Sequence, residues 1–180
     1  MKHSVASVSV VAWMDVDKRS FENGLTALLP RLRRFAHALS SNRADADDLT
    51  QSTVERALRS RSKWQPGSRL DSWIYKIMRN LWIDTLRSRS RRERFEAPPQ
   101  DAIASAEDPA CPIEDAVDLK TIMAAMDRLP DEQREVVALI LVEGFRYREA
   151  ADLLDLPIGT VSSRLVRGRT ALLSMFGADA

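Results

Sequence analysis

Apolar residues recur along this chain at intervals of three and four positions, the spacing that gathers them on one face of an α-helix. The first such run comprises Leu25, Leu28, Leu29, Leu32, Phe35 and Leu39. Ser20 can cap this helix, and Pro30 inside the run predicts either two helices or a kink. Residues 1–17, in which serines and aspartates interrupt a mildly apolar stretch, are predicted to be a disordered tail.

Two more helices are predicted in the first domain, which we assign to residues 18–96. One begins near Arg43–Asp45 and ends near Leu58, with aspartates in its first turns, where the helix dipole favours them. The other runs from about Leu70 to Arg89 and is apolar over most of its circumference. Such a helix is predicted to be buried in a bundle.

Residues 97–112 are predicted to be a flexible, acidic linker, because they contain four prolines and no basic residue. The helical periodicity resumes at residue 113, and a second domain is assigned to residues 113–177. Its four predicted helices span roughly residues 113–127, 131–142, 146–154 and 158–175. The predicted fold class is therefore all-α, with an N-terminal helical bundle and a C-terminal four-helix helix-turn-helix domain.

The net charge of +1 conceals an uneven distribution of charged residues. Residues 1–96 contain 19 Lys and Arg against 11 Asp and Glu, whereas residues 119–180 contain 8 and 9. The basic N-terminal part predicts a polyanionic partner, which the net charge alone does not.

The residue types that most enzymes need are scarce. The chain has one cysteine, Cys111, and two distant histidines, His3 and His37, so neither an internal disulfide nor a metal-ligand cluster is expected. No phosphate-binding glycine loop and no Ser/His/Asp or Cys/His set is apparent, which favours a non-enzymatic protein without cofactor or metal. The lone cysteine fits a reducing cytoplasm, and the lack of an apolar run of about 20 residues argues against membrane insertion.

The most specific pattern lies in residues 147–165, where a short helix, a tight turn and a second helix opened by Pro157 predict a helix-turn-helix. Helical phasing predicts a buried face on the second helix, formed by Val161, Leu165, Gly168 and Leu172. Hydroxyl and guanidinium groups on the remaining surface suit base edges and phosphates. The candidate DNA-binding residues are Thr160, Ser162, Ser163, Arg164, Arg167 and Arg169. The alternative, a surface helix that merely carries basic residues, is disfavoured by the combination of turn and phasing.

A second candidate surface follows the helix predicted at 70–89. Outside the apolar face, its stripe consists of Trp73, Lys76, Asn80, Asp84 and Arg87. Cations beside an aromatic ring and an amide can hold a single strand and receive unstacked bases. The alternative is a core helix that ends in solvated arginines. On the preceding helix, Asp48, Gln51 and Glu55 share the outer face, which by composition alone is a solvated acidic stripe.

Four segments resemble extracytoplasmic-function (ECF) sigma factors of the sigma-70 family. They read DADDLTQST (45–53), DSWIYKIMRNLWID (71–84), LPDEQREV (129–136) and GTVSSRL (159–165), the last followed by Arg167 and Arg169. The resemblance implies that residues 18–96 form region 2, which docks on core RNA polymerase and recognises and melts the −10 element. It implies that residues 113–177 form region 4, which recognises the −35 element.

The resemblance also implies roles for single residues. Docking on core polymerase is assigned to Asp47, Asp48, Gln51 and Glu55. Contact with the −10 element is assigned to the stripe from Trp73 to Arg87, and contact with the −35 element to the candidate residues from Thr160 to Arg169. Three positions depart from the family pattern, since Asp155 stands where glycine is common, Gly168 where alanine is usual, and Ser52 where an acid is usual.

The partners that the resemblance implies are core RNA polymerase, promoter DNA and an anti-sigma factor that acts in a stress response. The free protein is expected to be a cytoplasmic monomer. The principal alternative is a repressor or activator with an N-terminal partner-sensing domain. Such a sensor needs a ligand pocket or a dimer seam, whereas the first domain offers a basic-aromatic stripe and an acidic stripe.

Overall fold

The protein is helical in the residues that the computed structural model describes, 5–40, 42–95 and 121–177, which confirms the predicted all-α fold class. The first half, residues 5–95, contains α1 (Val5–Leu39), α2 (Arg43–Arg59), a short 3-10 turn (Arg61–Lys63) and α3 (Leu70–Phe95). The second half, residues 121–177, contains α4 (residues 121–127), α5 (Asp131–Val137), a π-helical turn (Ala138–Val142), α6 (Tyr147–Leu154) and α7 (Ile158–Gly177). The predicted linker, residues 97–112, and the start of the helix predicted at 113–127 lie outside the described residues.

The helix α1 passes through Pro30 without interruption, so the alternative of two helices is wrong, and the alternative of a kink stays a prediction. Leu25 and Leu32 on either side of the proline are buried in the same core. Their packing holds the helix together although proline removes one backbone hydrogen bond.

The beginning of α1 corrects two further expectations. Ser20 lies inside the helix rather than at its cap, and the helix extends back to Val5, where the sequence predicts a disordered tail. Residues 5–20 contain neither proline nor glycine. A helix that is held by the buried Phe21 can therefore propagate towards the N-terminus one residue at a time.

The first half is a three-helix bundle in which α1 packs on both α2 and α3. The helix α2 begins where the sequence predicts, and the Asp45 amide donates a hydrogen bond to the Asn42 side chain at 2.8 Å, which caps the helix. An aromatic cluster closes one end of the bundle, where the Phe21 ring lies 5.6 Å from Trp64 and 6.1 Å from Trp73. This cluster fixes the start of α3 against α1.

The predicted helix-turn-helix is present in the second half as α6, a turn and α7. The turn is made by Asp155, whose φ of 53° places it in the left-handed region that favours glycine. The buried side of α7 approaches α5 closely at Gly168, where an added Cβ would lie 2.7 Å from Val137 Cγ2. Gly168 therefore permits a close helix contact, which the sequence analysis does not anticipate.

The two halves pack against each other through one continuous apolar core, a contact that the sequence analysis does not predict. The Tyr75 ring of α3 lies between Phe35 of α1, at 5.1 Å, and Phe145 of the second half, at 5.0 Å. All three rings are buried. The position of α6 relative to α3 is therefore fixed by aromatic packing.

Candidate nucleic-acid interfaces and docking surface

The helix α7 has the two faces that the sequence predicts. Val161 and Leu165 are buried against the rest of the second half, whereas Ser163, Arg167 and Arg169 are exposed. Thr160 and Ser162 are half-buried at the edges of the exposed face. The exposed face therefore combines hydroxyl and guanidinium groups on a single helix, and these groups donate hydrogen bonds that base edges and phosphates accept.

Arg164 differs from the other basic residues of α7. Its guanidinium lies 2.6 Å from the Glu132 carboxylate of α5, and only 18% of its side chain is exposed. Arg167, by comparison, makes only a long hydrogen bond of 3.3 Å to the Ser163 carbonyl of its own helix. The structure therefore places Arg164 at the contact between α7 and α5, beside the exposed face rather than on it.

The predicted stripe of α3 is divided. Lys76, Asn80, Asp84 and Arg87 are exposed and follow one another along the helix, with Arg87 and Asp84 3.8 Å apart. Trp73 is half-buried and its ring edge meets Phe21. The structure therefore brings four of the five predicted residues onto one surface and places Trp73 at the margin of the core.

The acidic residues of α2 lie along two surface grooves. Asp47, Gln51 and Glu55 line a groove of about 650 Å³ between α1 and α2, together with apolar Leu29 and Val54. Asp48 lines a second groove, of about 210 Å³, on the side that faces α3. All four predicted docking residues are exposed, and α2 forms a ridge between the two grooves.

The contact between the halves centres on Glu143, which the sequence analysis does not single out. Its side chain is fully buried, and Oε2 accepts hydrogen bonds from Arg31 Nε at 3.0 Å and from the Tyr75 hydroxyl at 2.5 Å. Arg34 Nε lies 3.4 Å from Oε1, which receives no well-aligned hydrogen bond. A buried carboxylate is tolerated here because two cations and a phenol surround it.

Three further ion pairs join the halves within the part of the chain that the structure describes. They are Lys76 with Asp155 at 3.1 Å, Arg79 with Glu135 at 2.8 Å, and Arg69 with Glu149. Burial raises the pKa of the Glu135 carboxyl above its ordinary value, and Arg79 only partly offsets this shift. Burial and the hydrogen bond to Glu143 likewise raise the pKa of Tyr75, so the hydroxyl remains a donor at neutral pH.

A buried arginine also links the halves. Arg134 of α5 donates to the Leu39 carbonyl at the end of α1 at 3.0 Å. It also donates to the carbonyls of Met126, Asp127 and Leu129 at the end of α4 and just beyond it. A cation at two helix C-termini is favoured by both helix dipoles.

Two residues carry a sequence signal that could have revealed the contact between the halves. Residues 136–142 are uniformly apolar, and Glu143 follows them directly. A carboxylate at the end of so apolar a run is often buried and paired. Tyr75 carries a similar signal, since its hydroxyl lies within the apolar face of α3 and needs a partner when buried.

None of the described helices combines the length and apolar character that a membrane crossing needs. Nor does the described part of the chain bring together a group of His, Cys, Asp and Glu side chains that could hold a metal ion. The candidate sites are therefore the two basic surfaces, the ridge of α2 and the contact between the halves.

Comparison with known proteins identifies both halves. The chain matches the models for Sigma-70 region 2 at residues 25–92 and Sigma-70, region 4 at residues 119–172. The ECF RNA polymerase sigma factor EcfG of Rhodopseudomonas palustris is 37% identical over 160 residues, which cover 89% of this chain and 87% of that protein. The ECF RNA polymerase sigma factor SigE of Mycolicibacterium smegmatis is 42% identical over 146 residues, 79% of this chain but only 56% of that longer protein.

A solved structure extends the likeness to the fold. The sigma factor RpoE of Bartonella quintana, crystallised with the anti-sigma factor NepR, shares 32% sequence identity and a TM-score of 0.73. The match covers 90% of this chain and 99% of that chain, so it includes both halves. With two basic helices, two matching family regions and relatives that agree over most of their length, the chain belongs to the ECF sigma factors of the sigma-70 family.

Proposed function

We propose that this sigma factor directs RNA polymerase to particular promoters through three surfaces. The ridge of α2 docks on the core enzyme, the stripe of α3 holds the melted −10 element, and the exposed face of α7 reads the −35 element in duplex DNA. The observation that carries the proposal is the presence of exposed cations on α3 and on α7, on helices other than α2, whose exposed acids Asp47 and Glu55 pair with arginines of their own helix.

Recognition of the −35 element is assigned to the exposed face of α7. A recognition helix reads the major groove with side chains near its N-terminus, and the face begins at Thr160, in the first turn of α7. Arg167 and Ser163 suit base edges, and Arg169 suits the phosphate backbone. Arg164 reaches DNA only by exchanging its partner Glu132 for a phosphate, so its proposed role is orientation rather than base readout.

Capture of the −10 element is assigned to the stripe of α3. Asn80 lies at its centre, where an amide can both donate to and accept from the edge of an unpaired base. Lys76 and Arg87 on either side neutralise the flanking phosphates. Trp73 offers only its exposed edge to DNA, because its ring packs on Phe21.

Docking on core polymerase is assigned to Asp47, Asp48, Gln51 and Glu55 on the ridge of α2. The groove beside the ridge is lined by apolar Leu29 and Val54 and by charged side chains of both signs, Arg33 and Arg43 with Asp47 and Glu55, which suits an amphipathic helix of the polymerase that carries both charges. The Bartonella quintana relative was solved with an anti-sigma factor. We propose that a partner of the same kind holds the present chain inactive until a stress signal releases it.

The proposal is tested by transcription with purified core polymerase of the source bacterium, free of every other sigma factor. Genomic DNA serves as template, and the 5′ ends of the transcripts are mapped. The expected result is a small set of discrete start sites whose upstream sequences share two elements. Transcripts with scattered starts, or none above the level of core enzyme alone, would contradict the proposal.

A matched pair of variants assigns the docking surface. D48A/Q51A is expected to abolish both association with core polymerase and the discrete transcripts. D152A, which removes an exposed acid of α6 away from the ridge, is expected to leave both unchanged. Equal association of the two variants with core enzyme would remove the ridge from the docking surface.

A further inference from the structure

We propose that the second half shields part of the promoter-melting surface, because its acidic side chains hold the cations that a single DNA strand would otherwise occupy. The second half and the strand then compete for the first half. This inference rests on the function proposed for α3, and it goes beyond it by making the contact between the halves an internal brake on DNA capture.

The ion pairs between the halves all have the same direction in the described residues. In each of the five pairs found there, the first half contributes the cation and the second half contributes the acid. The cations are Arg31, Arg34, Arg69, Lys76 and Arg79, and the acids are Glu135, Glu143, Glu149 and Asp155. The second half thus presents a row of negative groups to a basic surface, as a nucleic-acid backbone does.

The contact between the halves overlaps the stripe of α3 at one residue. Lys76 belongs to the stripe and is also the partner of Asp155. Its neighbour Tyr75 is fully buried against Phe145 of the second half. Asn80 and Arg87, which lie farther along α3, remain exposed. The second half therefore pairs with the stripe at Lys76, near its beginning, and leaves its end without such a partner in the second half.

Asp155 occupies the turn between α6 and α7 with a φ of 53°. The turn needs a left-handed residue, and glycine meets that need at a lower conformational cost than aspartate does. What aspartate adds is a carboxylate 3.1 Å from Lys76. The residue that is less favourable for the turn is the one that completes the acidic row.

Exposure divides the contact into a weak rim and a strong centre. The side chains of Lys76 and Asp155 are 45% and 67% exposed, so this pair is weak and screened by salt. Glu143 at the centre is fully buried. A strand that binds first at Asn80 and Arg87 can therefore replace the rim pairs one at a time before the centre separates.

The test compares E149Q/D155N with D152N in the full-length chain. In E149Q an amide oxygen replaces the carboxylate oxygen of Glu149 that accepts the helix-capping hydrogen bond from the Arg146 amide, so the cap is preserved. In D155N the asparagine tolerates the left-handed turn.

Two measurements are made at low ionic strength. One is the affinity for a short, labelled single-stranded oligonucleotide without polymerase. The other is energy transfer between dyes at S62C and S174C in a C111S background, which reports the separation of the halves.

The shielding proposal expects E149Q/D155N to bind the oligonucleotide about fivefold more tightly than the wild type, since two partly exposed ion pairs are removed. D152N is expected to change the affinity less than about twofold, because the pairs remain. Adding oligonucleotide to the wild type should lower the energy transfer. The single variants D155G and D155N both lose the carboxylate, and D155G also relaxes the turn. The two should bind the strand equally tightly.

Three results would overturn the shielding proposal. One is equal affinity of E149Q/D155N and the wild type, and another is an equal gain in D152N, which would indicate a general charge effect. The third is energy transfer that does not change when the strand binds. These measurements need no polymerase, so their failure is distinct from failure of the transcription assay, which tests the proposed function itself.

Discussion

The two basic helices of this protein differ in how much of their surface remains available to DNA. In α7, Arg167 and Arg169 face solvent, and the buried side packs on α5. In α3, Lys76 and Arg79 are held by acids of the other half, and the helix contacts α1, α2 and α6. Composition therefore indicates which helices suit a polyanion, and packing decides which of them is free to bind one.

The difference arises from the depth at which each helix is buried. Tyr75, Ile74 and Met78 of α3 are completely buried, so the polar stripe is the only surface left to the helix along that stretch. The second half packs over one end of this stripe. The helix α7 lies at the outside of the second half, where Val166 and Leu173 are exposed along with its arginines. The following predictions test this contrast.

The largest effect is expected for R134M, which retains the apolar stem but loses four hydrogen bonds to carbonyls at the ends of α1 and α4. These bonds are charge-assisted and buried, so the free energy of unfolding should fall by about 3 kcal/mol. Urea denaturation of the full chain measures it. The control is R128M, in which an exposed arginine of the α4–α5 connection is replaced. Identical denaturation midpoints for the two variants would show that the link contributes nothing.

A smaller effect is expected for R167A on α7, the helix on which Arg167 and Arg169 face solvent. If Arg167 reads a base, its loss should weaken binding to upstream promoter duplex by about 1–3 kcal/mol, without changing the stability of the fold. Fluorescence anisotropy with duplexes of different upstream sequence measures the affinity. Wild-type affinity for every duplex would remove Arg167 from the readout.

The substitution N80A tests the accessible end of the α3 stripe. Loss of one hydrogen bond to an unpaired base should reduce open-complex formation about fivefold, while duplex binding through α7 stays unchanged. Permanganate footprinting of thymines in the melted strand measures the open complex. Equal reactivity in mutant and wild type would contradict the assignment of Asn80.

The smallest effect is expected for G168A, on the buried side of α7. The new methyl group would meet Val137 Cγ2, and overpacking costs about 1–3 kcal/mol, whereas the helix gains about 1 kcal/mol from alanine. The two contributions partly cancel, and the expected net loss of stability is about 0–2 kcal/mol. G159A is the control, since a Cβ there meets no atom within 4 Å. A G168A variant that is more stable than the wild type would show that α5 yields to the methyl group.

Local spacing was sufficient to predict the elements but not the contact between the halves. The faces of α7 follow from the phasing of Val161 and Leu165, because periodicity depends on which side of a helix is buried. The pair between Arg31 and Glu143 joins residues that are 112 positions apart, and no local pattern encodes such a distance. The same limit explains Arg164, which phasing places at the flank of the DNA-binding face but which pairs with Glu132 on another helix.

Pro30 illustrates the second limit. Its effect on the backbone is a local penalty that is visible in the sequence. The packing of the residues around it, which offsets this penalty, is not. The buried residues on both sides of the proline belong to one core, and the helix continues. Tertiary packing therefore outweighed a local breaker, as it commonly does.

The π-helical turn at Ala138–Val142 has a consequence for how this chain tolerates length changes. The Glu143 amide bonds to the Ala138 carbonyl five residues earlier at 3.0 Å, so the turn accommodates one more residue than an α-helical turn does. Because this bond closes one turn over five residues where an α-helix needs four, loss of a single residue within the turn would restore regular helix and leave the Glu143 carboxylate facing Arg31. The extra backbone unit thus lets this segment lose one residue without changing the angular register of the charges on which the two halves meet.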